Sequence, residues 1–311
     1  MGRYRLGDII RMTRKSLSIT QEQLSEDICS VETLSRIETG KQNPSRDVYE
    51  LLMERMGRVR DRAYSILSIS DFKVLEKMQL FEEAILSYDY HRAEYILEEI
   101  MKKPGNTNLD KQFIIRANSL VNYRLGRIST DEFLEELIKA IRITIPKFGD
   151  ISLVNWPLTY NETNIILNIS TAYAEKQDYQ KGINILEEAY SAIKKSYMDE
   201  EFRNTMQVII LNNLSKWYGL LEEHQKAIDV SIEGLKLCKE YKISSVLPNL
   251  LYSYAWNMEQ LIDKGVLSKE NKRECINLLK QAYYISCAVQ YPYGEQFLKN
   301  HLKVQYNINL L

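Results

Sequence analysis

The sequence predicts an all-α protein in which a small domain of short helices precedes a right-handed superhelix of about five helical hairpins. Glycine and proline are scarce, with 12 and 6 copies among 311 residues, whereas helix formers such as Leu, Glu and Lys are plentiful. A pattern of helical spacing also recurs five times along the chain. The predicted domains are residues 1–65 and 72–311, joined by a linker over residues 66–71.

Two capping signals and a glycine predict the helices of the first domain. Thr20 and Gln23 have the spacing of a capping box, so a short helix begins after Thr20. Ser30 caps a second helix, and Gly40 ends it where a left-handed residue is favoured. Two short helices joined by a tight turn form a helix-turn-helix. The predicted core consists of Leu24, Ile28, Leu34 and Ile37, with Leu6, Ile9, Ile10 and Leu17 from a preceding helix and Val48, Leu51, Leu52 and Met56 from a following one.

The segment TQEQLSEDICSVETLSRIETGKQNPS, residues 20–45, resembles the Cro/C1-type (XRE) helix-turn-helix family. Ser25 departs from the family pattern, which usually has alanine there. In that family the second helix of the pair enters the major groove of DNA. The resemblance implies that Val31, Glu32, Thr33 and Arg36 face the bases, that Gln21, Ser35, Lys41 and Asn43 lie near phosphates, and that Arg11, Arg14 and Lys15 add sequence-independent attraction.

The base-facing side chains have suitable chemistry. Arg36 can bind guanine through two hydrogen bonds, Glu32 can accept one from cytosine N4, and Val31 can contact a thymine methyl group. The alternative is that Arg36 and Glu32, four residues apart, form an exposed ion pair. Charge gives little help, because residues 1–64 carry a net +2 and the whole chain −1.

The rest of the chain contains five helices of similar pattern. Each has small or apolar residues seven positions apart, as in Ala227 and Gly234, which allow a neighbouring helix to approach closely. Three of these helices follow a segment in which tyrosine comes five residues after asparagine. This pattern resembles the tetratricopeptide repeat, which implies stacked hairpins with a concave wall made of the first helices. The five helices begin at Arg92, Glu132, Lys181, Lys226 and Glu274, and the three pairs are Asn118–Tyr123, Asn168–Tyr173 and Asn213–Tyr218.

The three asparagines suggest how such a groove would bind a ligand. Five residues turn a helix by about 140°, so an asparagine faces the groove if its tyrosine packs between helices. A ladder of amide donors and acceptors suits the backbone of an extended peptide. The alternative is that these asparagines are solvated or cap local turns. The predicted peptide-binding residues are Asn118, Asn164, Asn168, Asn212, Asn213, Lys216, Asn249, Tyr252 and Trp256.

A helix-turn-helix followed by such repeats resembles the Rgg/PlcR/PrgX-type (RRNPP) receptors for intercellular signalling peptides. The resemblance implies a homodimeric transcriptional regulator that binds a palindromic operator in double-stranded DNA and a short signalling peptide. The alternatives are a regulator whose repeats bind a protein partner and a phage lysis–lysogeny switch of the same build. A gene for a short secreted peptide beside this one would favour the peptide receptor. A neighbouring gene for a phage integrase would favour the lysis–lysogeny switch. Dimerisation is predicted at Tyr283, Tyr284, Tyr291, Tyr293 and Phe297, where the alternative is capping of the last repeat.

The sequence gives little support for an enzyme, a metal-binding protein or a membrane protein. His91, His224 and His301 are far apart and no glycine-rich phosphate loop is present, so we expect no enzyme, cofactor or metal site. His91 and His224 fall at predicted turns and should be solvated. The four cysteines have no metal-binding spacing, so we expect reduced thiols. No apolar run approaches the roughly 20 residues of a membrane span, and the N-terminus lacks a signal-peptide core. These features predict a cytoplasmic protein.

Overall fold

The computed structural model describes residues 6–17, 19–56, 72–102, 108–154, 156, 158–194 and 200–310. The regular elements in these ranges are helices, apart from an isolated bridge between Phe148 and Ile151. The all-α prediction is therefore confirmed. The predicted domain boundary at residue 65 and the linker over residues 66–71 lie outside the described residues.

The helix-turn-helix begins and ends where the capping signals predict. The Thr20 hydroxyl accepts a hydrogen bond from the Gln23 amide at 3.2 Å, and Gln23 Oε1 accepts one from the Thr20 amide at 2.9 Å. Ser30 Oγ accepts from the Thr33 amide at 3.1 Å, and Gly40 is left-handed with φ +71°. The four helices of the domain are α1 (Leu6–Ser16), α2 (Gln21–Ser25), α3 (Val31–Glu38) and α4 (Arg46–Arg55).

The core of this domain confirms most of the predicted apolar positions. Leu24 and Leu34 are fully buried, and α1 approaches α3 so closely that a Cβ on Gly7 would lie 1.7 Å from the Ile37 carbonyl oxygen. Two predicted core residues are wrong, since Leu17 is 42% and Leu51 is 44% exposed. Leu17 follows the end of α1. Leu51 is adjacent to the fully buried Leu52, and neighbouring helical residues point about 100° apart, so Leu51 faces away from the core.

The described residues after 71 form five helical hairpins and a final helix, as predicted. Each second helix starts two residues before the predicted position, so Arg92, for example, lies in the first turn of α6. The hairpins are α5 (Phe72–Leu86) with α6 (Tyr90–Met101), α7 (Asn108–Arg124) with α8 (Thr130–Arg142), α9 (Tyr160–Glu175) with α10 (Tyr179–Lys194), α11 (Glu200–Leu220) with α12 (His224–Tyr241), and α13 (Leu247–Asp263) with α14 (Lys272–Ala288). A 3₁₀ turn, Lys269–Asn271, precedes α14, and α15 (Pro292–Tyr306) follows it.

All five hairpins turn in the same way. The second residue after the first helix is left-handed, and the next N–H donates to a carbonyl five residues earlier, as Glu223 does to Tyr218 at 2.9 Å. This is a Schellman motif, and it defines one register that can be compared between hairpins. The left-handed residues are Tyr88 (φ +59°), Gly126 (+72°), Gln177 (+63°), Glu222 (+60°) and Gly265 (+73°).

The contacts divide the chain into two compact units. The first consists of Met1–Ser152, Trp156–Ala172 and Lys195–Asp199, and the second consists of Leu153–Asn155, Tyr173–Lys194 and Glu200–Leu311. In each unit the small residues of the second helices are buried, as predicted: Ala93 and Ala140 in the first, Ala227 and Ala282 in the second. At Gly234 a Cβ would lie 2.9 Å from Leu250 Cδ1, so α12 and α13 meet closely there.

Candidate DNA-binding and ligand-binding sites

The outward face of α3 carries the side chains that were predicted to read bases. Val31, Glu32 and Arg36 are exposed, while Leu34 and Ile37 on the opposite face are buried. Thr33 and Ser35 are half-buried. The Thr33 hydroxyl lies 2.9 Å from Ser30 Oγ, which holds it at the start of the helix. This face can therefore present an acceptor, a methyl-bearing surface and a guanidinium to a groove.

The guanidinium of Arg36 makes no hydrogen bond or ion pair with another described residue, and neither does the Glu32 carboxylate. The alternative reading, in which these two side chains pair with each other, is therefore not observed. Lys15, Lys41 and Asn43, which were assigned to phosphates, are also exposed.

Arg14 and Gln21 have a different role in the structure. The guanidinium of Arg14 donates to both oxygens of the nearly buried Glu38, at 2.6 and 2.8 Å, and to the Ile19 carbonyl at 2.9 Å. Gln21 Nε2 donates to Glu38 Oε2 at 2.7 Å. Hydrogen bonding to Glu38 raises the pKa of Arg14. We therefore assign Arg14 to the interior of the domain, where it joins α1 to α3, and exclude it from the DNA-facing set.

The three predicted ladder asparagines do not share one register. Asn168 and Asn213 each lie nine residues before the left-handed residue of their hairpin, whereas Asn118 lies eight residues before Gly126. One residue rotates a helical position by about 100°. Asn118 is accordingly exposed, and its Oδ1 accepts from Asn122 Nδ2 at 3.3 Å. The three-membered ladder was wrong, because the spacing from Tyr123 to the turn is one residue shorter than in the other two hairpins.

Asn164 and Asn168 lie one turn apart on α9, and we call them the α9 amide pair. Asn164 Nδ2 and Asn168 Oδ1 are buried, and neither has a hydrogen-bond partner of ordinary geometry among the described residues. Desolvation raises the pKa of the nearby Tyr160 hydroxyl, and the Asn164 amide opposes that rise. A buried polar group without a partner costs about 1–3 kcal/mol. The Asn168 acceptor is thus left for another molecule, while the Asn164 amide contacts the Tyr160 hydroxyl.

The remaining predicted peptide-binding residues belong to α11 and α13 of the second unit. Asn212 and Asn213 are half-buried. The exposed Lys216 lies 4.8 Å from the centre of the Trp217 ring. Desolvation raises the pKa of Glu175, and the charge of Lys216 opposes that rise. On α13, Asn249, Tyr252 and Trp256 are spaced to share one face. Asn249 is exposed, Tyr252 packs edge-to-face on Phe297 at 5.0 Å, and Trp256 packs on His224 at 5.9 Å.

Sequence reasoning missed a buried polar network in the first unit, which we call the Arg116 network. Arg116 is 2% exposed, and its guanidinium binds the carboxylate of Glu82 on α5 and Asn161 Oδ1 on α9, the latter at 3.1 Å. The only sequence signal is an arginine within the apolar run FIIRANSLV. The contacts continue from Asn161 Nδ2 to Gln112 Oε1 (2.9 Å), from Gln112 Nε2 to Thr144 Oγ1 (2.6 Å), and from Thr144 Oγ1 to Glu162 Oε1 (2.5 Å).

His224 and Tyr283 of the second unit are buried, contrary to expectation. His224 is only 4% exposed, because its Nδ1 lies 2.9 Å from Oδ1 of the buried Asn257 on α13. Among the aromatic residues assigned to a dimer surface, Tyr283 is buried in the core, whereas Tyr284, Tyr293 and Phe297 are exposed. The spacing of apolar residues along one helix does not predict the burial of His224 or Tyr283, because that burial depends on contacts with a neighbouring helix.

Two kinds of feature are absent from the described residues. No helix in those ranges is long and apolar enough to cross a bilayer. No group of three or more His, Cys, Asp or Glu side chains in the same ranges could hold a metal ion.

Comparison with known proteins gives one sequence match and several structural ones. A helix-turn-helix family model matches residues 10–60, and no curated protein matches the chain by sequence. Bacillus thuringiensis PlcR in complex with the peptide PapR7 and DNA has a TM-score of 0.64 at 19% identity, covering 96% of this chain and 100% of PlcR. Its apo form has a TM-score of 0.60 at 18% identity, covering 96% and 99%.

ComR from S. thermophilus, in complex with DNA and its signalling peptide ComS, has a TM-score of 0.52 at 15% identity. That match covers 95% of this chain and 98% of ComR. At these identities the likeness concerns the fold. Residues 10–60 thus match a helix-turn-helix family, and the described residues share the fold of PlcR and ComR.

Proposed function

We propose that this protein is a cytoplasmic transcriptional regulator that binds operator DNA as a homodimer and is controlled by a short signalling peptide. The observation that carries the proposal is the α9 amide pair, in which the buried Asn168 Oδ1 lacks a partner among the described residues. Supporting it, PlcR and ComR have this fold and their structures contain both a peptide and DNA.

DNA recognition is assigned to α3. Val31 and Glu32 are exposed in the first turn of the helix and Arg36 in its last turn, so the outward face can contact base edges. Lys15, Lys41 and Asn43 lie outside the domain core and are available to phosphates. The pair of Arg14 and Glu38 fixes α3 against α1, so the face is held at one orientation.

Replacing Arg36 with alanine is expected to remove specific operator binding, because one bidentate contact to guanine supplies about 1–3 kcal/mol of discrimination. The operator is first selected from randomised duplexes with the full-length protein. Gel shifts on the selected duplex should then show about a tenfold or larger loss for Arg36→Ala. The control is Arg92→Ala, an exposed arginine on α6. Retention of site-specific shifts by Arg36→Ala would exclude α3 as the reading helix.

The same selection tests the homodimer. A symmetric dimer binds two half-sites separated by about 34 Å, one turn of DNA. The selected duplexes should therefore contain an inverted repeat of that period, whereas a single asymmetric site would exclude a symmetric dimer on DNA. Tyr284, Tyr293 and Phe297 are exposed and available for a contact between copies, in which aromatic side chains are enriched.

A peptide in extended conformation suits the amide side chains of the first helices. Its carbonyl groups need donors and its N–H groups need acceptors, whatever its side chains are. Turning Asn168 towards a bound backbone would let its unpaired Oδ1 accept a peptide N–H, and Asn164 lies one turn away on the same helix. Asn213, in the second unit, occupies the same register in its own hairpin.

Replacing Asn168 and Asn213 together with alanine is expected to weaken peptide binding by more than the roughly 1 kcal/mol of a single neutral hydrogen bond. The probe is a peptide retained from an equimolar pool of synthetic heptapeptides after ultrafiltration, and its affinity is measured by calorimetry. Asn118→Ala is the matched control, because Asn118 is an exposed asparagine of another register. Equal affinity for the native protein and the double variant would remove these amides from the site.

A further inference from the structure

The Arg116 network joins three consecutive first helices of the first unit. Arg116 belongs to α7, and it binds Glu82 of α5 and Asn161 of α9 simultaneously. Its guanidinium also lies 5.4 Å from the centre of the Phe113 ring. Replacing a buried ion pair with apolar side chains is often neutral or stabilising. Stability alone therefore does not account for a charged residue at this position.

The network meets the α9 amide pair at Asn161. Asn161, Asn164 and Asn168 are separated by three and four residues, so they form one stripe along α9. Asn161 is already engaged at both ends of its amide, by Arg116 and by Gln112. A ligand bound by the α9 amide pair would thus lie one turn away from a side chain that is hydrogen-bonded to Arg116.

The other end of the network reaches the helix nearest the DNA-binding domain in chain order. Glu82 lies on α5, the first described helix after residue 71, and its carboxylate pairs with Arg116. An arginine fork has fixed donor directions, so a displacement of Asn161 changes the geometry available to Glu82. The two helices are therefore joined by a rigid, desolvated contact rather than by solvent-exposed side chains.

We propose that Arg116 is a positioning residue that couples the α9 amide pair to α5 through Asn161 and Glu82. Binding at the amide pair then shifts the equilibrium of α5 to the extent that the ligand favours one arrangement of α9. This deepens the proposed function and rests on it for the identity of the ligand. The coupling itself is a property of the protein alone and is testable without any ligand.

Hydrogen–deuterium exchange of the full-length protein measures this coupling directly. Asn161→Ala is introduced into the native chain and into Glu82→Leu/Arg116→Met, in which apolar side chains replace the ion pair. We expect exchange in residues 77–86 of α5 to accelerate at least fivefold in the native background and less than twofold in the apolar one. If Glu82→Leu/Arg116→Met does not fold, Glu82→Gln/Arg116→Met replaces it, because that variant keeps the shape of residue 82 and removes both the ion pair and the guanidinium donor.

Asn164→Ala is the matched control, since it removes an amide of the same stripe that has no bond to Arg116. It should leave exchange in α5 unchanged. Equal acceleration by Asn161→Ala in both backgrounds would assign the transmission to the apolar core around Phe81 and Phe113 and overturn the proposal. Absence of acceleration in either background would also overturn it.

A second measurement separates this inference from the proposed function. The peptide retained from the heptapeptide pool should slow exchange in both α9 and α5 of the native protein, and in α9 alone of Glu82→Leu/Arg116→Met. Slowing of both helices in both proteins would contradict the role of Arg116. If no peptide is retained, the proposed function fails, and the Asn161→Ala experiment still decides the coupling.

Discussion

Alanine at position 7 is expected to unfold the helix-turn-helix domain and abolish DNA binding. The new Cβ would lie 1.7 Å from the Ile37 carbonyl oxygen and 2.5 Å from its carbonyl carbon. These are backbone atoms of α3, so no side-chain rotation can relieve the clash. Either α3 moves away from α1 or the domain opens, and we expect a cost above the roughly 3 kcal/mol typical of severe overpacking.

The effect of Gly7→Ala is measured by hydrogen exchange across residues 6–56 and by gel shift on the selected operator. Gly126→Ala is the control, because its Cβ would meet nothing within 4 Å. That variant should pay only the backbone cost of a left-handed alanine, about 1–2 kcal/mol, and should bind DNA normally. Native protection and operator affinity in Gly7→Ala would contradict the described packing of α1 on α3.

Removing Arg116 alone is expected to produce the largest loss of stability in the repeats. Arg116→Ala leaves the Glu82 carboxylate and Asn161 Oδ1 without their donor and opens a cavity beside Phe113. Breaking a buried ion pair by deleting one partner costs about 3–5 kcal/mol. The fall in the transition temperature is measured by calorimetry.

Arg127→Ala is the control for Arg116→Ala, because Arg127 forms an exposed ion pair with Glu94. Exposed pairs contribute little to stability, so this variant should melt close to the native protein. Glu82→Leu/Arg116→Met should be more stable than Arg116→Ala, since it leaves no unpaired charge. Equal transition temperatures for Arg116→Ala and Arg127→Ala would contradict the burial of the network.

The sequence predicted most where the signals are local. The capping bonds at Thr20 and Ser30 span three residues, so they identify α2 and α3 without knowledge of the rest of the fold. The repeat pattern located all five second helices for the same reason. The sequence gives no signal that Arg14 pairs with Glu38, which lies 24 residues away, and Arg14 was consequently assigned to DNA.

The candidate ligand site was only partly predictable. The face on which Asn118 lies depends on its distance from the hairpin turn. The sequence comparison aligned Asn118 by its spacing to Tyr123, which placed it one residue away from the position that Asn168 and Asn213 occupy relative to their turns. The pairing of Glu82 with Arg116 and the burial of His224 against Asn257 depend on contacts between helices more than 30 residues apart. Such contacts follow from packing, which the periodicity of a single helix does not specify.

We propose that the repeats bind a peptide through the amides of their first helices. This is tested by native mass spectrometry of the full-length protein, purified from its own host. We expect the native protein to carry a peptide-sized adduct that is lost in the Asn168→Ala/Asn213→Ala variant and kept in Asn118→Ala. An adduct retained equally by all three proteins, or a protein partner in its place, would contradict the claim.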